Sequence, residues 1–127
     1  MKAFLLLLLF ATAFLTVCAS SKKGNSYVQI TQEEAKDMMD ESDENIILDV
    51  REDFEYASGH IPNAQLLPLG EIDAESAEAV IPSKESTVLV YCRSGNRSKA
   101  AAELLVELGY TNVYEFGGIV TWPYEIE

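Results

Sequence analysis

The sequence is poor in basic residues, with 9 lysines and arginines against 21 aspartates and glutamates and a formal net charge of −12. A chain this acidic lacks the basic face through which proteins bind nucleic acid or anionic membranes non-specifically. The excess of acidic residues is instead typical of a well-solvated surface. We therefore expect no nucleic-acid partner.

Cysteine and histidine are also scarce, with two cysteines and one histidine in 127 residues. Nothing indicates a disulfide scaffold. The sequence shows no set of metal ligands with suitable spacing and no glycine-rich nucleotide motif. The hydrophobic content of 48% is that of an ordinary globular protein. The length predicts one domain, and we expect neither a metal nor another cofactor.

The long apolar run lies at the N-terminus, in MKAFLLLLLFATAFLTVCASS, where a lysine precedes it and small residues follow it. This is the pattern of a signal peptide, and the run from Ala3 to Val17 is shorter than the ~20 residues of a membrane-spanning helix. We assign residues 1–19 to a signal peptide, residues 20–26 to a polar linker and residues 27–127 to the folded domain.

The end of the signal segment leaves two interpretations open. LTVCAS resembles the lipobox of bacterial lipoproteins, with Cys18 as the lipidated residue, but Val17 stands where that motif favours Gly, Ala or Ser. The alternative is ordinary cleavage after Ala19. We favour the lipoprotein, anchored to the outer face of a bacterial membrane only through its N-terminus. Simple cleavage would leave a secreted or periplasmic protein. On either route Cys18 cannot pair with Cys92, whose thiol is then free.

Short apolar runs alternate with helical patterns from Tyr27 onward. Strands are predicted in YVQI, IILDV, HIPNAQLLPL, TVLVY and NVYEF. Helices are predicted in QEEAKDMMDE, after the capping residue Thr31, and in EDFEYAS. Two further helices are predicted from Asp73 to Val80 and from Ser98 to Leu108. GGIVTW predicts a last short turn of helix. The alternation predicts an α/β fold with a mostly parallel sheet and helices on both faces.

In such folds the chemistry lies beyond the carboxyl ends of the strands. One candidate place is Asp49 to Arg51, after IIL, and the other is the loop that begins at Cys92, after VLVY. Three of the nine basic residues follow that cysteine closely, namely Arg93, Arg97 and Lys99.

The loop CRSGNRS has the features of an anion site. Gly95 allows a positive φ and Asn96 tolerates one, so successive N–H groups can face inward in front of the helix predicted from Ser98. Lowering a cysteine pKa from about 8.5 to about 6.5 takes roughly 2.7 kcal/mol, and a helix N-terminus supplies at most about 2. Hydrogen bonds from the loop and the charges of Arg93 and Arg97 are expected to supply the rest.

This loop strongly resembles the active-site loop of single-domain rhodaneses, the thiosulfate sulfurtransferase family. ILDVREDFEYASGHIPNAQLLPL resembles the family's Asp-Val-Arg, Glu-Tyr and Gly-His-Ile-Pro segment, and VYEFGGIVTW resembles its Gly-Gly-x-x-x-Trp ending. The three motifs cover essentially all of residues 27–127 in the right order. Asn63 stands where the family usually has Gly, and the chain stops soon after Trp122.

The resemblance implies a rhodanese fold with a five-stranded, mostly parallel sheet. It implies that Cys92 carries sulfur as a persulfide, which the amides from Arg93 to Ser98 would cradle, with Ser94, Gly95 and Asn96 among them. Arg97 would bind the anionic group of the donor, and Arg93 would be an additional contact. The implied partners are a small anionic sulfur donor and a thiol or cyanide acceptor, with a protein acceptor also compatible.

The other chemical residues are interpreted mainly as structural. Asp49 and Arg51 fit an ion pair that steadies the loops better than a substrate site. His60 lies in the turn SGHIPNA, which the family uses structurally. The aromatic residues near the C-terminus fit packing better than a ligand cage: Tyr110, Tyr114, Phe116 and Trp122.

Two rival functions remain. A cysteine phosphatase or arsenate reductase on this fold would have five residues between cysteine and arginine, whereas four separate Cys92 from Arg97. That makes a smaller cradle, better suited to one sulfur atom than to a phosphate. A non-catalytic rhodanese-like binding module is the second rival, and it ranks below catalysis because the cysteine and both arginines are present.

Overall fold

The computed structural model describes residues 25–127. The predicted signal peptide, Cys18 and most of the predicted linker lie outside the described residues. Within the described range, no helix is both long enough and apolar enough to cross a membrane.

Five strands form one sheet, and every neighbouring pair in it is parallel. The sheet therefore confirms the predicted α/β fold and has no antiparallel member. Its strands are β1 (Val28–Gln29), β2 (Ile46–Asp49), β3 (Gln65–Leu66), β4 (Thr87–Cys92) and β5 (Asn112–Gly118), in the order β1-β5-β4-β2-β3.

Within residues 25–127, four α-helices and one short 3-10 turn connect the strands, and a second 3-10 turn follows β5. They are α1 (Gln32–Glu41), α2 (Asp53–Ala57), a 3-10 turn at Leu69–Glu71, α3 (Ala74–Val80), α4 (Asn96–Glu107) and a 3-10 turn at Ile119–Thr121. The prediction for α1 is confirmed, because the Glu34 amide donates to the Thr31 hydroxyl oxygen over 3.0 Å. Asp73 caps α3 in the same way, accepting from the Ser76 amide over 2.8 Å.

The predicted start of α4 at Ser98 is wrong, because the helix begins at Asn96. Gly95 alone takes the left-handed conformation, with φ 109°, and Asn96 already has helical geometry. Only glycine adopts such a φ without steric cost. Arg97 and Ser98 are therefore residues of the first helical turn rather than of the loop.

The sheet buries both of its faces. Along β4, Val88, Val90 and Cys92 belong to the core that packs under α3 and α4. Leu89 and Tyr91 belong to the second core, which packs under α1 and α2. This alternation explains why TVLVY is apolar at every position rather than at every second one.

The topology brings the two candidate places to one edge of the sheet. Strand β4 lies between β2 and β5. Asp49 pairs with Tyr91 in the register, and Cys92 pairs with Gly118 on the other side, after an irregularity between Val90 and Cys92. The residues that follow β2, β4 and β5 therefore share the carboxyl edge.

Candidate active site

Cys92 ends strand β4 and is almost completely buried, with 1% of its surface exposed. The backbone N–H of Gly95 donates to its sulfur over 3.0 Å. The left-handed conformation of Gly95 turns that N–H inward, immediately before the N-terminus of α4. The sulfur thus faces a backbone donor and the positive end of a helix, which both favour a negative charge there.

Ser98 completes the immediate surroundings of the sulfur. Its hydroxyl oxygen lies 3.4 Å from the Cys92 sulfur, and the serine is fully buried. Burial by itself raises the pKa of the Cys92 thiol, but its hydrogen bonds with the Ser98 side chain and with the backbone of Ser98, Gly95 and Ser94 outweigh it, and the pKa is lowered. These hydrogen bonds, more than the arginine charges expected from the sequence, are the main stabilising influence on the thiolate.

A buried glutamate lies behind Ser98. The Ser98 hydroxyl donates to the Glu115 carboxylate over 2.7 Å, and the Gly117 amide donates to the same oxygen over 2.8 Å. The Gln29 side chain donates to the other oxygen over 3.2 Å. Sequence reasoning did not single out Glu115, although a charged residue two positions from Val113 in a buried strand is an available signal.

Arg97 forms an ion pair with Glu55 of α2. Its two terminal nitrogens lie 2.6 and 2.9 Å from the two carboxylate oxygens. The Arg97 hydrogen bond lowers the pKa of Glu55 to about 2. The sequence pointed to Arg97 for binding the donor's anionic group but not to Glu55, which already neutralises it. Only the fold brings the two together, 42 residues apart in sequence.

The remaining loop side chains face solvent. Arg93, Ser94 and Asn96 are exposed, as is Lys99 in the first turns of α4. Within residues 25–127, the Arg93 side chain has no ion pair or hydrogen bond. In the described region, therefore, no carboxylate neutralises the charge of Arg93.

Gly118 permits the close approach of β5 to the loop. A Cβ atom at this position would overlap the backbone carbonyl of Arg93 and the amide of Ser94. The Arg93 carbonyl also accepts from the Val120 amide over 3.2 Å. The second glycine of the GGIVTW segment is thus required by the path of the cysteine loop rather than by its own φ.

Asp49 and Arg51 form a buried ion pair beside the loop. The Arg51 guanidinium lies 2.7 Å from an Asp49 oxygen and also donates to the Gly59 carbonyl over 2.7 Å. The Tyr91 hydroxyl donates to Asp49 over 2.7 Å and accepts from the Ile61 amide over 3.1 Å. Burial raises the pKa of Tyr91, so the phenol keeps its proton as a donor. The arrangement is the scaffold ion pair that the sequence favoured.

His60 packs within the turn that follows α2. Its ring stacks on Tyr56 with centroids 3.8 Å apart, and its Nδ1 lies 3.0 Å from the Tyr56 carbonyl oxygen. Its backbone exchanges two hydrogen bonds with Glu127, of 2.9 and 2.8 Å. These contacts are made with Tyr56 and Glu127 and not with the cysteine loop. In the same turn Asn63 has φ 67°, a left-handed conformation that Asn adopts more readily than most other non-glycine residues.

The aromatic residues near the C-terminus pack against one another. Phe116 lies 5.5 Å from both Tyr91 and Trp122, measured between ring centroids, and Trp122 lies 4.9 Å from Tyr124. Within residues 25–127, no group of three or more His, Cys, Asp and Glu side chains is arranged to hold a metal ion.

A family model described as the rhodanese-like domain matches residues 31–124. The chain belongs to the rhodanese family. It is 43% identical over 72 residues to the thiosulfate sulfurtransferase PspE of Escherichia coli, covering 57% of this chain and 68% of PspE. It is 39% identical over 97 residues to the thiosulfate sulfurtransferase GlpE of Coxiella burnetii, covering 76% of this chain and 87% of GlpE.

A solved rhodanese structure from E. coli, described as containing anions, supports the same assignment. It has a TM-score of 0.61 to this chain at 35% identity, and the match covers 65% of this chain and 96% of that structure. The resemblance noted in the sequence is thereby confirmed, and the protein is a rhodanese-type enzyme.

The close approach at Gly118 gives a first prediction. Gly118→Ala should lower the free energy of unfolding by about 2 kcal/mol or more, because the new methyl group forces the loop backbone away from β5. The displaced loop should also raise the Cys92 pKa, which can be followed by the pH dependence of thiol alkylation. Gly70→Ala is the control, because a Cβ there meets no atom within 4 Å. Equal stability and equal thiol titration in the two variants would contradict the assignment.

Proposed function

We propose that this rhodanese moves a sulfane sulfur from thiosulfate, or from another persulfide or polysulfide donor, to a thiol or cyanide acceptor through a persulfide on Cys92. The observation that carries the proposal is the position of the Cys92 sulfur, 3.0 Å from the Gly95 N–H at the N-terminus of α4. A buried thiolate and a persulfide anion need the same donors, so one site serves both states.

Two displacement steps complete the proposed cycle. The Cys92 thiolate attacks the outer sulfur of thiosulfate, a sulfur–sulfur bond forms to Cys92, and the bond to the sulfonate group breaks so that sulfite leaves with the electron pair. Cyanide or an acceptor thiolate then attacks the outer sulfur of the persulfide. The bond to Cys92 breaks, thiocyanate or an acceptor persulfide departs, and the Cys92 thiolate is restored.

The donor anion is proposed to meet Arg93 before Arg97. Both terminal nitrogens of Arg97 are held by Glu55, so a donor that took over Arg97 would have to break an ion pair in which Glu55 is largely buried. Arg93 adjoins Cys92, is exposed, and has no such pair within the described residues. Its charge is available to offset the repulsion between an anionic donor and a thiolate.

The persulfide gives the decisive test. Intact-mass analysis of the protein after thiosulfate treatment should show one added sulfur, and cyanide should remove it. Cys92→Ser should gain no sulfur, because an alcohol at this position is not ionised near neutral pH. If thiosulfate and polysulfide both leave the mass unchanged while the protein is folded, the sulfurtransferase proposal fails and a non-catalytic binding module takes its place.

The two arginines should separate when an anionic donor is compared with a neutral thiol reagent. Arg93→Ala should lower kcat/KM for thiosulfate about tenfold, equivalent to about 1.4 kcal/mol, and leave the alkylation of Cys92 by uncharged iodoacetamide nearly unchanged. Arg97→Ala should slow both reactions, because it leaves the Glu55 carboxylate unpaired beside the loop. Lys99→Ala is the matched control for charge alone. A loss confined to Arg97→Ala and to the thiosulfate reaction would assign donor binding to Arg97 instead.

We also propose export, from the N-terminal sequence alone. Lipidation of Cys18 would tether the domain outside a bacterial membrane through its polar linker. In a fractionated bacterial host, the full chain should appear with the membranes and Cys18→Ser should be released from them. A wild-type chain found in the soluble exported fraction would replace lipidation with simple cleavage, and one retained in the cytoplasm would remove export altogether.

A further inference from the structure

The ion pair between Glu55 and Arg97 holds a positive charge of the cysteine loop that the sulfur-transfer steps above do not use. Arg97 lies in the first turn of α4, shortly after Cys92, and Glu55 lies in α2. The two terminal nitrogens of Arg97 lie 2.6 and 2.9 Å from the two oxygens of Glu55. A guanidinium binds sulfate, phosphate or a sulfonate through such a pair of parallel N–H groups. Glu55 therefore occupies donors with which Arg97 would bind a tetrahedral oxyanion.

The Glu55 carboxylate is fixed in place and keeps its charge. One of its oxygens also accepts from the Glu52 backbone N–H over 3.2 Å, within the capping box of α2. Its side chain is only 15% exposed, against 33% for Arg97. The Arg97 hydrogen bond lowers the pKa of Glu55 to about 2, so the carboxylate is ionised near neutral pH. An anion that approaches Arg97 therefore meets a negative charge that is partly shielded from solvent and does not move away.

The charge that the loop presents to an incoming anion depends on this carboxylate. Within residues 25–127, Glu55 compensates the charge of Arg97, whereas Arg93 has no ion pair. Arg97 is close enough to Cys92 for the negative charge of the thiolate to raise the pKa of Arg97. The loop thus offers one uncompensated arginine beside the sulfur. Without the Glu55 charge it would offer two, and a dianion such as sulfate would be attracted to both.

We propose that Glu55 is a specificity-determining residue, which keeps tetrahedral oxyanions out of the cysteine loop by holding Arg97 in an ion pair. Sulfate and phosphate share the oxygen-rich, anionic character of thiosulfate but have no sulfane sulfur, and either of them bound at the loop would block Cys92. A site rejects such competitors by neutralising the group that would bind them. The loop then selects its donor by the sulfur that reaches Cys92 rather than by the oxyanion group. The inference rests on the proposed function in one respect, that the donor enters this loop.

Two other carboxylates of the same segment, Glu52 and Asp53, do not take this role in the described part of the chain. Glu52 acts on Arg97 through space but forms no ion pair with it, and its side chain is exposed. Asp53 is exposed as well and has no ion pair within residues 25–127. Solvent and salt screen exposed charges of this kind strongly. The partly buried Glu55 is therefore the carboxylate whose removal should change anion binding at Arg97.

Protection of Cys92 by inorganic sulfate tests the inference. Iodoacetamide is uncharged and alkylates the thiolate, and sulfate bound in the loop slows this reaction because it covers the sulfur and opposes its ionisation. At constant ionic strength, the sulfate concentration that halves the alkylation rate should be about tenfold lower in Glu55→Gln than in the wild-type protein. The new amide oxygen can still accept from the Glu52 N–H and from one Arg97 nitrogen. Its NH₂ group cannot accept, so the other Arg97 nitrogen is released.

Two further variants separate the ion pair from charge in general. Asp53→Asn makes the same charge change on α2 at an exposed position, and its sulfate protection should stay within about twofold of the wild-type value. Glu55→Gln combined with Arg97→Gln should lose the gain, because the released guanidinium is what binds the sulfate. Circular dichroism checks that each variant is folded. A tighter binding of sulfate is also a gain that unfolding cannot produce.

Three outcomes would overturn the inference. They are equal sulfate protection in the wild-type protein and Glu55→Gln, an equal gain in Asp53→Asn, and a gain that survives when Arg97 is also replaced. None of these measurements uses a sulfur donor. Unchanged sulfate protection together with normal persulfide formation would therefore leave the proposed function standing without the role of Glu55. Stronger protection in Glu55→Gln together with no persulfide on the wild-type protein would do the reverse.

Discussion

The hydrogen bond from the Gly95 N–H to the Cys92 sulfur depends on a backbone path that only two glycines make possible. Gly95 has φ 109°, which turns its N–H toward the sulfur, and α4 begins at the next residue. Gly118 lets β5 lie against the Arg93–Ser94 peptide. If either position carried a side chain, the loop would open and the 3.0 Å contact with the sulfur would be lost. The anion site thus depends on the absence of side chains as much as on the residues present.

Two of the three arginines near the cysteine loop are already paired with carboxylates, although the chain has few basic residues. Arg51 and Arg97 are each bound to a carboxylate, Asp49 and Glu55 respectively. Ion pairs of this kind, buried at Arg51 and partly buried at Arg97, add little net stability, but the loss of one partner is costly, so they fix positions more than they strengthen the fold. Hydrogen bonds with Ser98 and Gly95, neither of which carries a charge, lower the Cys92 pKa. Within residues 25–127, Arg93 is consequently the arginine that has no carboxylate partner.

The parts of the fold that follow from local sequence were predictable. The Thr31 cap and the apolar runs of β2 and β4 each depend on neighbouring residues, and they predicted the α/β alternation and the cysteine at a strand end. The contacts of Glu55 and Glu115 were not predictable, because each partner lies far away along the chain. The start of α4 was placed two residues late, because Asn96 was allowed a positive φ that Gly95 alone provides. The sequence also overestimated the contribution of the arginine charges to the Cys92 pKa. The ion pair between Arg97 and Glu55 cannot be predicted from CRSGNRS, because Glu55 lies 42 residues away in sequence.

Strand β4 is fixed from both faces at its carboxyl end, and this limits what can react there. Tyr91 points to one face, where its hydroxyl is tied to Asp49, and Cys92 points to the other, where Gly95 and Ser98 hold the sulfur. A sulfur held in this way and 1% exposed cannot swing out to meet a bulky substrate. The reacting atom of the donor has to enter the loop, past the exposed residues Arg93, Ser94 and Asn96. A single sulfur atom on a small anion can do this, and a tetrahedral phosphate ester, which brings several oxygens to the same point, is disfavoured. Burial and loop length therefore favour a small reacting atom on steric grounds, which agrees with the proposed sulfur transfer, and the hydrogen bonds of the loop act on the same atom.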